Sequence, residues 1–407
     1  MNTNFDNYIP ILSKGIEFNR LTDDEFILSN SKHKHYLKIN KEVYNLLKII
    51  DGFKNLTELT VLYKNKHNIE ISTDIIRNIL INQLSKYGIL KGFEDSIKKY
   101  EKPSYLNLSF IIINEKILSK IVKYFHFLFY KKIALILIFS LTLFIITVLI
   151  LNFNLYQTFN LQNSLLYFVV IMAFSVTFHE IGHATSASFF GAKHGGIGGG
   201  FYLFTPVYFA DVTDIWRLSK TKRILINLSG MYFELIFCSI LVFISLMINN
   251  FLLLTLSLIV CIKTIFNLIP FLRSDGYWIL SDLTNKPNLF YHSFEKIKDI
   301  FRFIFQKKKL KWSFTDFILF IYGFVSFSFI SLFLYYVMFK NPSSLLNFPE
   351  NIYNFVINLF EQNTEFSIVK YGELIIPLIF IYLVFNLMKS FAEKIKLKWN
   401  NIMNKSI

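Results

Sequence analysis

Hydrophobic and polar positions divide the chain into a first third of short periods and a remainder of long apolar runs. Residues 15 to 39 read as three short extended pieces, GIEFNR, EFILS and HYLKI, joined by the polar, turn-prone stretches LTDD and SNSKHK. The period then becomes helical. Val43, Leu46, Leu47 and Ile50 recur at helical spacing and stop at Asp51-Gly52. Leu56, Leu59 and Leu62 predict a second helix opened by Asn55 or Thr57, and Ile75, Ile79, Leu80 and Leu84 a third ending at Gly88. A small sheet followed by three helices is expected.

Beyond residue 130 the runs lengthen. The stretches 133–154, 164–186, 224–248, 251–272, 314–339 and 373–388 approach or exceed the roughly 18 apolar residues that a bilayer crossing requires, which predicts about six spans. The expected fold class is a multi-pass α-helical membrane protein with a small α+β N-terminal cytoplasmic domain. Its segments are 1–95, a juxtamembrane linker 96–132, a core 133–283, a basic loop 284–313, and C-terminal transmembrane helices with a basic tail over 314–407. The start, MNTNFDNYIP, lacks a basic segment followed by an apolar one, so no cleavable signal peptide is expected.

Composition agrees: 53% of the chain is hydrophobic and 18% aromatic, too apolar for an ordinary soluble globule. The net charge of +15 would raise the question of nucleic acid in a soluble protein, but the positions of the charges answer otherwise. Lys131 and Lys132 precede the first run, Lys220, Lys222 and Arg223 the third, and Lys286 through Lys311 the fifth, while Lys389, Lys394, Lys396 and Lys398 follow the last. The connections 153–163 and 249–250 carry no Lys or Arg, and 340–372 has only Lys340 and Lys370 beside Glu350, Glu361 and Glu365. Both termini are therefore expected in the cytoplasm, with lipid headgroups of the cell membrane rather than nucleic acid as the partner of the basic excess. High Ile, Asn and Lys usage agrees with a bacterial source. Cys238 and Cys261 fall inside apolar runs and read as packing residues.

The N-terminal arrangement, with LKINKEVYNLLKIIDGFKNLTEL and the closing LSKYGIL, resembles PqqD-like domains over roughly residues 8 to 92. The resemblance implies a leader-peptide recognition element, in which the peptide adds as a strand to the sheet within residues 15–92. A winged-helix-like or purely structural cap is the other reading of the same pattern.

Candidate chemistry sits in the second run, as TFHEIGHATS. Residues four apart on a helix are separated by about 6 Å along the axis and about 40° around it, so His179 and His183 project from one face and can grip one metal ion. Glu180 lies about 100° away, placed to take a proton from a water on the metal. Polar and charged groups on one turn of a membrane helix cost about 2.5 kcal/mol or more for an acid alone, so they demand a role. Zinc asks for one more protein ligand at the same depth. Asp275, in NLIPFLRSDGY, follows the fourth run and faces the same side by span counting.

The two motifs resemble the site-2 protease family of intramembrane zinc metalloproteases, which pairs HExxH with a later N-x-x-P-x-x-x-x-D-G. Asn267, Pro270, Asp275 and Gly276 match position by position. The resemblance covers roughly 164 to 283. It implies Zn2+ held by His179, His183 and Asp275, Glu180 as general base, and Asn267 among the substrate-positioning groups. The chain departs from the family in having Arg273 and Ser274 where prolines are frequent, and in SGMYFE, where Glu234 falls at the position of an asparagine. Glu234 is a candidate for positioning substrate or orienting a ligand histidine. Gly198 and Gly199, in GGIGGGFYLFTPVYF, suggest a peptide cradle of extended chain.

Lys263, inside a span, can pair with Glu234 or snorkel to the surface. His194 is an extra ligand candidate, though a histidine beside glycines is usually solvated, and His33, His35, His67, His126 and His292 show no paired spacing. Taken together, the two resemblances imply hydrolysis of a peptide bond in the leader-bearing precursor of a modified peptide or bacteriocin. Regulated cleavage of a membrane-anchored signalling protein, and a non-catalytic export or immunity protein with a structural zinc site, are the alternatives.

Overall fold

The computed structural model describes residues 8–21, 23–30, 32–99, 107–152, 165–202, 205–270, 274–306, 309–360 and 368–403. The expected connection 153–163, and Arg273, Lys307, Lys308, Glu361 and Glu365, lie outside them. The chain divides into two compact units, one of residues 1–153, 172–200 and 208–283, the other of 154–171, 201–207 and 284–407.

In the first unit, β1 (Ile16–Arg20), β2 (Glu25–Asn30) and β3 (His35–Asn40) form an antiparallel sheet in that order. The register aligns Phe18, Leu28 and Leu37 on one face. Helices α1 (Lys41–Lys48), α2 (Leu56–His67) and α3 (Thr73–Arg77) cover that face, α3 continuing through a π-helical turn, Asn78–Leu84. Each helix begins where a side chain satisfies the free N–H groups of the first turn. Asn40 caps α1, Asn55 forms a reciprocal capping box with Glu58, and Ser72 caps α3. Gly88 ends the run with φ of 70°, a left-handed value that costs glycine little. Leu28, Leu46, Leu47, Leu56, Leu59, Tyr63, Ile76 and Leu80 close the core, so the small sheet and three helices occur as the pattern predicts.

The stretch between this region and the first long run carries structure of its own: β4 (Asn107–Ile113) and the Asn114-capped α4 (Glu115–Tyr124). Then come α5 (Lys131–Leu151), α6 (Leu165–Phe189), β5 (Ile197–Tyr202), β6 (Thr205–Ala210), α7 (Lys220–Met247), α8 (Phe251–Phe266) and α9 (Asp275–Thr284). The extended structure expected of GGGFYLFTPVYF is the β5-β6 pair, with β4 added on the β5 side. A short 3-10 turn, Thr213–Arg217, follows β6 and meets the N-terminal sheet. Tyr36 donates to Asp214 Oδ1 at 2.8 Å, Lys34 pairs with Asp211 at 2.6 Å, and Arg217 reaches Glu17 at 3.2 Å. Burial and the Asp214 carboxylate raise the pKa of Tyr36, which keeps its hydroxyl a donor.

The second unit contains α10 (Leu289–Gln306), α11 (Phe314–Tyr335), α12 (Ser343–Leu346), α13 (Phe348–Phe360) and α14 (Ile368–Met403). Gly323 lets α11 close on α10, since a Cβ there would lie 2.8 Å from Cβ of Ser293.

Among the described residues four helices are long and apolar enough to cross a membrane: Lys131–Leu151, Leu166–Phe189, Lys220–Met247 and Phe314–Lys340. The chain is on this ground a mostly helical membrane protein. Of the expected fourth span, 251–272, the described residues hold a helix of 16 residues, about 24 Å long, that ends at Phe266 with Asn267 as its cap, shortly before Pro270, which has no N–H to continue the ladder; 271–272 lie outside the described residues. The stretch 373–388 lies within α14.

Candidate metal centre

Helices α6 and α7 cross closely because both present small residues. A Cβ on Gly182 would lie 2.5 Å from the Ser229 carbonyl, and the Ser229 hydroxyl donates to the Gly182 carbonyl at 3.0 Å. That contact sets a register in which Ser175, His179 and His183, four apart on α6, face Glu234, Gly230 and Ile226, four apart on α7. Both histidines are buried.

His183 Nδ1 lies 2.8 Å from the Ile226 carbonyl. A carbonyl only accepts, so Nδ1 carries the proton and Nε2 presents a lone pair. Nδ1 of His179 faces Oε2 of Glu234 at 3.3 Å, an ion-pair distance, and among the described residues it makes no hydrogen bond. A proton there leaves the His179 Nε2 lone pair free in turn. The two Nε2 atoms are 3.0 Å apart; Asp275 places Oδ2 at 3.0 Å from that of His179 and Oδ1 at 3.3 Å from that of His183.

Asp275 owes its place to a turn in which the Gly276 N–H donates to the Asn267 carbonyl at 2.8 Å. Gly276 is required because a Cβ there would collide with the Leu268 main chain. Behind this turn, Arg223 of α7 donates to Asp282 of α9 at 2.7 Å, both side chains buried.

Two lone pairs and a carboxylate converging in a buried space repel one another unless a cation lies among them. Oδ2 of Asp275 is buried and makes no hydrogen bond among the described residues. Ligand atoms about 2.0–2.1 Å from a tetrahedral zinc stand roughly 3.3–3.4 Å apart, close to the separations here. The charges agree as well. Around the two histidines stand Glu180, Glu234 and Asp275, and Lys263 pairs with Glu234. With the carboxylates ionised, the formal excess of two negative charges matches a divalent cation. The residues present fit zinc.

Glu180 also brings an oxygen within 4.8 Å of the histidine nitrogens. The oxygens of Asp275 approach both Nε2 atoms directly, whereas Oε2 of Glu180 accepts from the Ala210 N–H at 2.6 Å. The neighbouring Asp211 N–H donates to the carbonyl of Gly196, the residue before β5, at 3.1 Å, so by strand alternation the Ala210 N–H points off the edge of β6 that no described strand covers.

Other expected residues are distributed differently. Asn267 contributes through its main chain. Gly198 and Gly199 lie on β5, the central strand, where they make room for the chain's own aromatic rings: a Cβ on Gly198 would meet Phe209 at 2.6 Å, and one on Gly199 would meet Phe110 at 3.0 Å. His194 faces Ser119 at 3.5 Å and the Gly195 carbonyl at 2.9 Å. Lys263 pairs with Glu234, and the free thiols of Cys238 and Cys261 face each other across α7 and α8. Sequence reasoning missed Ser175, Thr264, the Ala210 N–H and the part played by Gly230. A Cβ on Gly230 would lie 2.5 Å from Nε2 of His179 and 2.6 Å from Nε2 of His183. A glycine in a helix interior was the available signal.

The fold and site thus define a helical membrane chain with a buried two-histidine, one-aspartate cluster beside a held glutamate. Over 215 residues, 50% of this chain and 82% of the relative, it is 27% identical to "Putative peptide zinc metalloprotease protein YydH" of Bacillus subtilis (strain 168). No family model and no solved structure matches the chain.

Proposed function

We propose that this protein is a membrane-embedded zinc metalloprotease, similar to site-2 proteases, that hydrolyses a peptide bond in an extended precursor or leader peptide at the cytoplasmic side of a bacterial membrane. The observation that carries the reading is the convergence of His179, His183 and Asp275 on one buried point, with Glu180 held beside it by the Ala210 N–H. The relative's printed name supports the same activity.

His179, His183 and Asp275 would hold the metal. When bound, zinc supplies a Lewis acid that polarises the scissile carbonyl and makes a water acidic near neutral pH. Glu180 receives the water's proton on a carboxylate oxygen and returns it to the departing amine nitrogen. The Ala210 N–H fixes which carboxylate oxygen stays engaged. Because β5 is central, an extended substrate adds to a free edge of the sheet, and the β6 edge at Ala210 brings it alongside Glu180. Glu234 orients His179, and the N-terminal sheet and helices, as a PqqD-like element, capture the leader. Its contacts through Tyr36 and Lys34 to the turn after β6 favour delivery to that edge.

Purified protein should contain about one zinc per chain and cleave a leader-bearing peptide, while Glu180→Gln should keep the zinc and lose cleavage by a factor of about 100 or more. Cleavage surviving in that variant would sink the proposal. Cleavage confined to a single-span membrane protein would favour the signalling alternative.

A further inference from the structure

A lysine within the apolar helix α8 calls for a partner, since an unpaired ammonium at membrane depth is costly. Lys263 has one. Its Nζ pairs with Oε1 of Glu234, which is completely buried, and lies 3.1 Å from the Ser175 hydroxyl. Ser175 in turn donates to the same Oε1 at 2.9 Å. The other oxygen, Oε2, accepts from Thr264 at 2.9 Å and stands 3.3 Å from Nδ1 of His179. Groups from α6 and α8 therefore grip the carboxylate on one oxygen and aim the other at a ring nitrogen that has no other partner among the described residues.

We propose that Lys263 is a positioning residue of the metal centre. It acts through Glu234: by fixing that carboxylate against Nδ1 of His179 it sets the tautomer and direction of the ring, so that Nε2 is the nitrogen presented to the metal. It also offsets the Glu234 charge, which would otherwise stand uncompensated beside Asp275 and Glu180. A carboxylate with no cation at its rear would be repelled by those two and would turn from the ring. The inference rests on the zinc reading above and extends it to a residue of a third helix.

Zinc affinity is measured on the full-length protein in detergent by competition with a chromophoric chelator, and ligand geometry by the visible spectrum of the Co2+-substituted protein. Lys263→Met should weaken zinc binding about 10- to 100-fold, the range for losing a partner that orients a ligand. Glu234→Gln should do the same, and the double variant should lose no more than the worse single one, because both act along one path. Lys263→Arg should recover most of the affinity. A Co2+ spectrum and zinc affinity unchanged in Lys263→Met would overturn the proposal, as would losses that simply add in the double variant. If Lys263→Met does not fold, Ser175→Ala carries the test: a few-fold loss of affinity supports the path, and wild-type affinity refutes it. Wild-type protein that binds no zinc would fail the functional reading itself, whereas zinc-replete wild type with an indifferent Lys263 would fail only this step.

Discussion

Replacing Gly230 by alanine probes the metal centre without touching a ligand. On an exposed helix the change is favourable by about 0.5–1 kcal/mol, because alanine loses less conformational freedom. Here the new Cβ would lie 2.5 Å and 2.6 Å from Nε2 of His179 and His183. Ordinary contact between such atoms is about 3.5 Å, so the rings must retreat by about 0.9–1.0 Å or α7 must move away from α6. Metal–ligand distances tolerate about 0.2 Å, so a retreat of that size removes the centre. Separating the helices instead is opposed by the Gly182–Ser229 contact and costs about 1–3 kcal/mol, as overpacking does. Gly230→Ala should therefore retain its helical circular dichroism and lose zinc affinity by about 100-fold or more, at the top of the range for disturbed ligand orientation. Elemental analysis and chelator competition measure this, with Leu228→Ala, at an exposed position of the same helix, as the control that keeps its zinc. Wild-type zinc content and cleavage in Gly230→Ala would show that the two imidazoles do not share a metal in the arrangement described.

Further outcomes follow from the same geometry. Asp282→Ala leaves the Arg223 guanidinium buried without its carboxylate, which should cost about 3–5 kcal/mol, lower the melting temperature and loosen the α9 segment that begins with Asp275. Thermal unfolding and zinc affinity should fall together. Chelation of zinc should lower the melting temperature of the wild type but not of a His179→Ala/His183→Ala variant, since only a folded site contributes binding energy. The contact between the N-terminal sheet and the turn after β6 should weaken in acid. Burial alone would raise the Asp211 pKa, but the Lys34 ammonium and the Thr213 hydroxyl hold it below the usual range. A carboxyl depressed on folding stabilises above its unfolded pKa of about 3.9 and loses that contribution as pH falls through the lower folded value. Hydrogen exchange over residues 208–217 should then quicken below about pH 4 in the wild type and be less pH-dependent in Asp211→Asn.

Much of this protein is local and was readable along the chain. The alternation in residues 16–40 and the helical spacing of Leu46, Leu47, Leu56, Leu59 and Leu80 determine a sheet and its covering helices, because side-chain period decides which face can be buried. The spacing of His179 and His183 determines that both project from one side of α6. Other features depend on which backbones approach one another, and no short window encodes that. Gly182 and Ser229 decide how closely α6 and α7 cross, and hence that Glu234 rather than another polar group faces His179. The turn from Asn267 to Gly276 decides that Asp275 reaches both imidazoles. β4, far from its partners in sequence, makes β5 a central strand and turns Gly198 and Gly199 into clearance for Phe110 and Phe209. Lys263 shows the division most simply. The sequence determined that a charge in an apolar helix needs a partner, and only the packing of α6, α7 and α8 selected Glu234, since at membrane depth an ammonium is stable only where a carboxylate meets it.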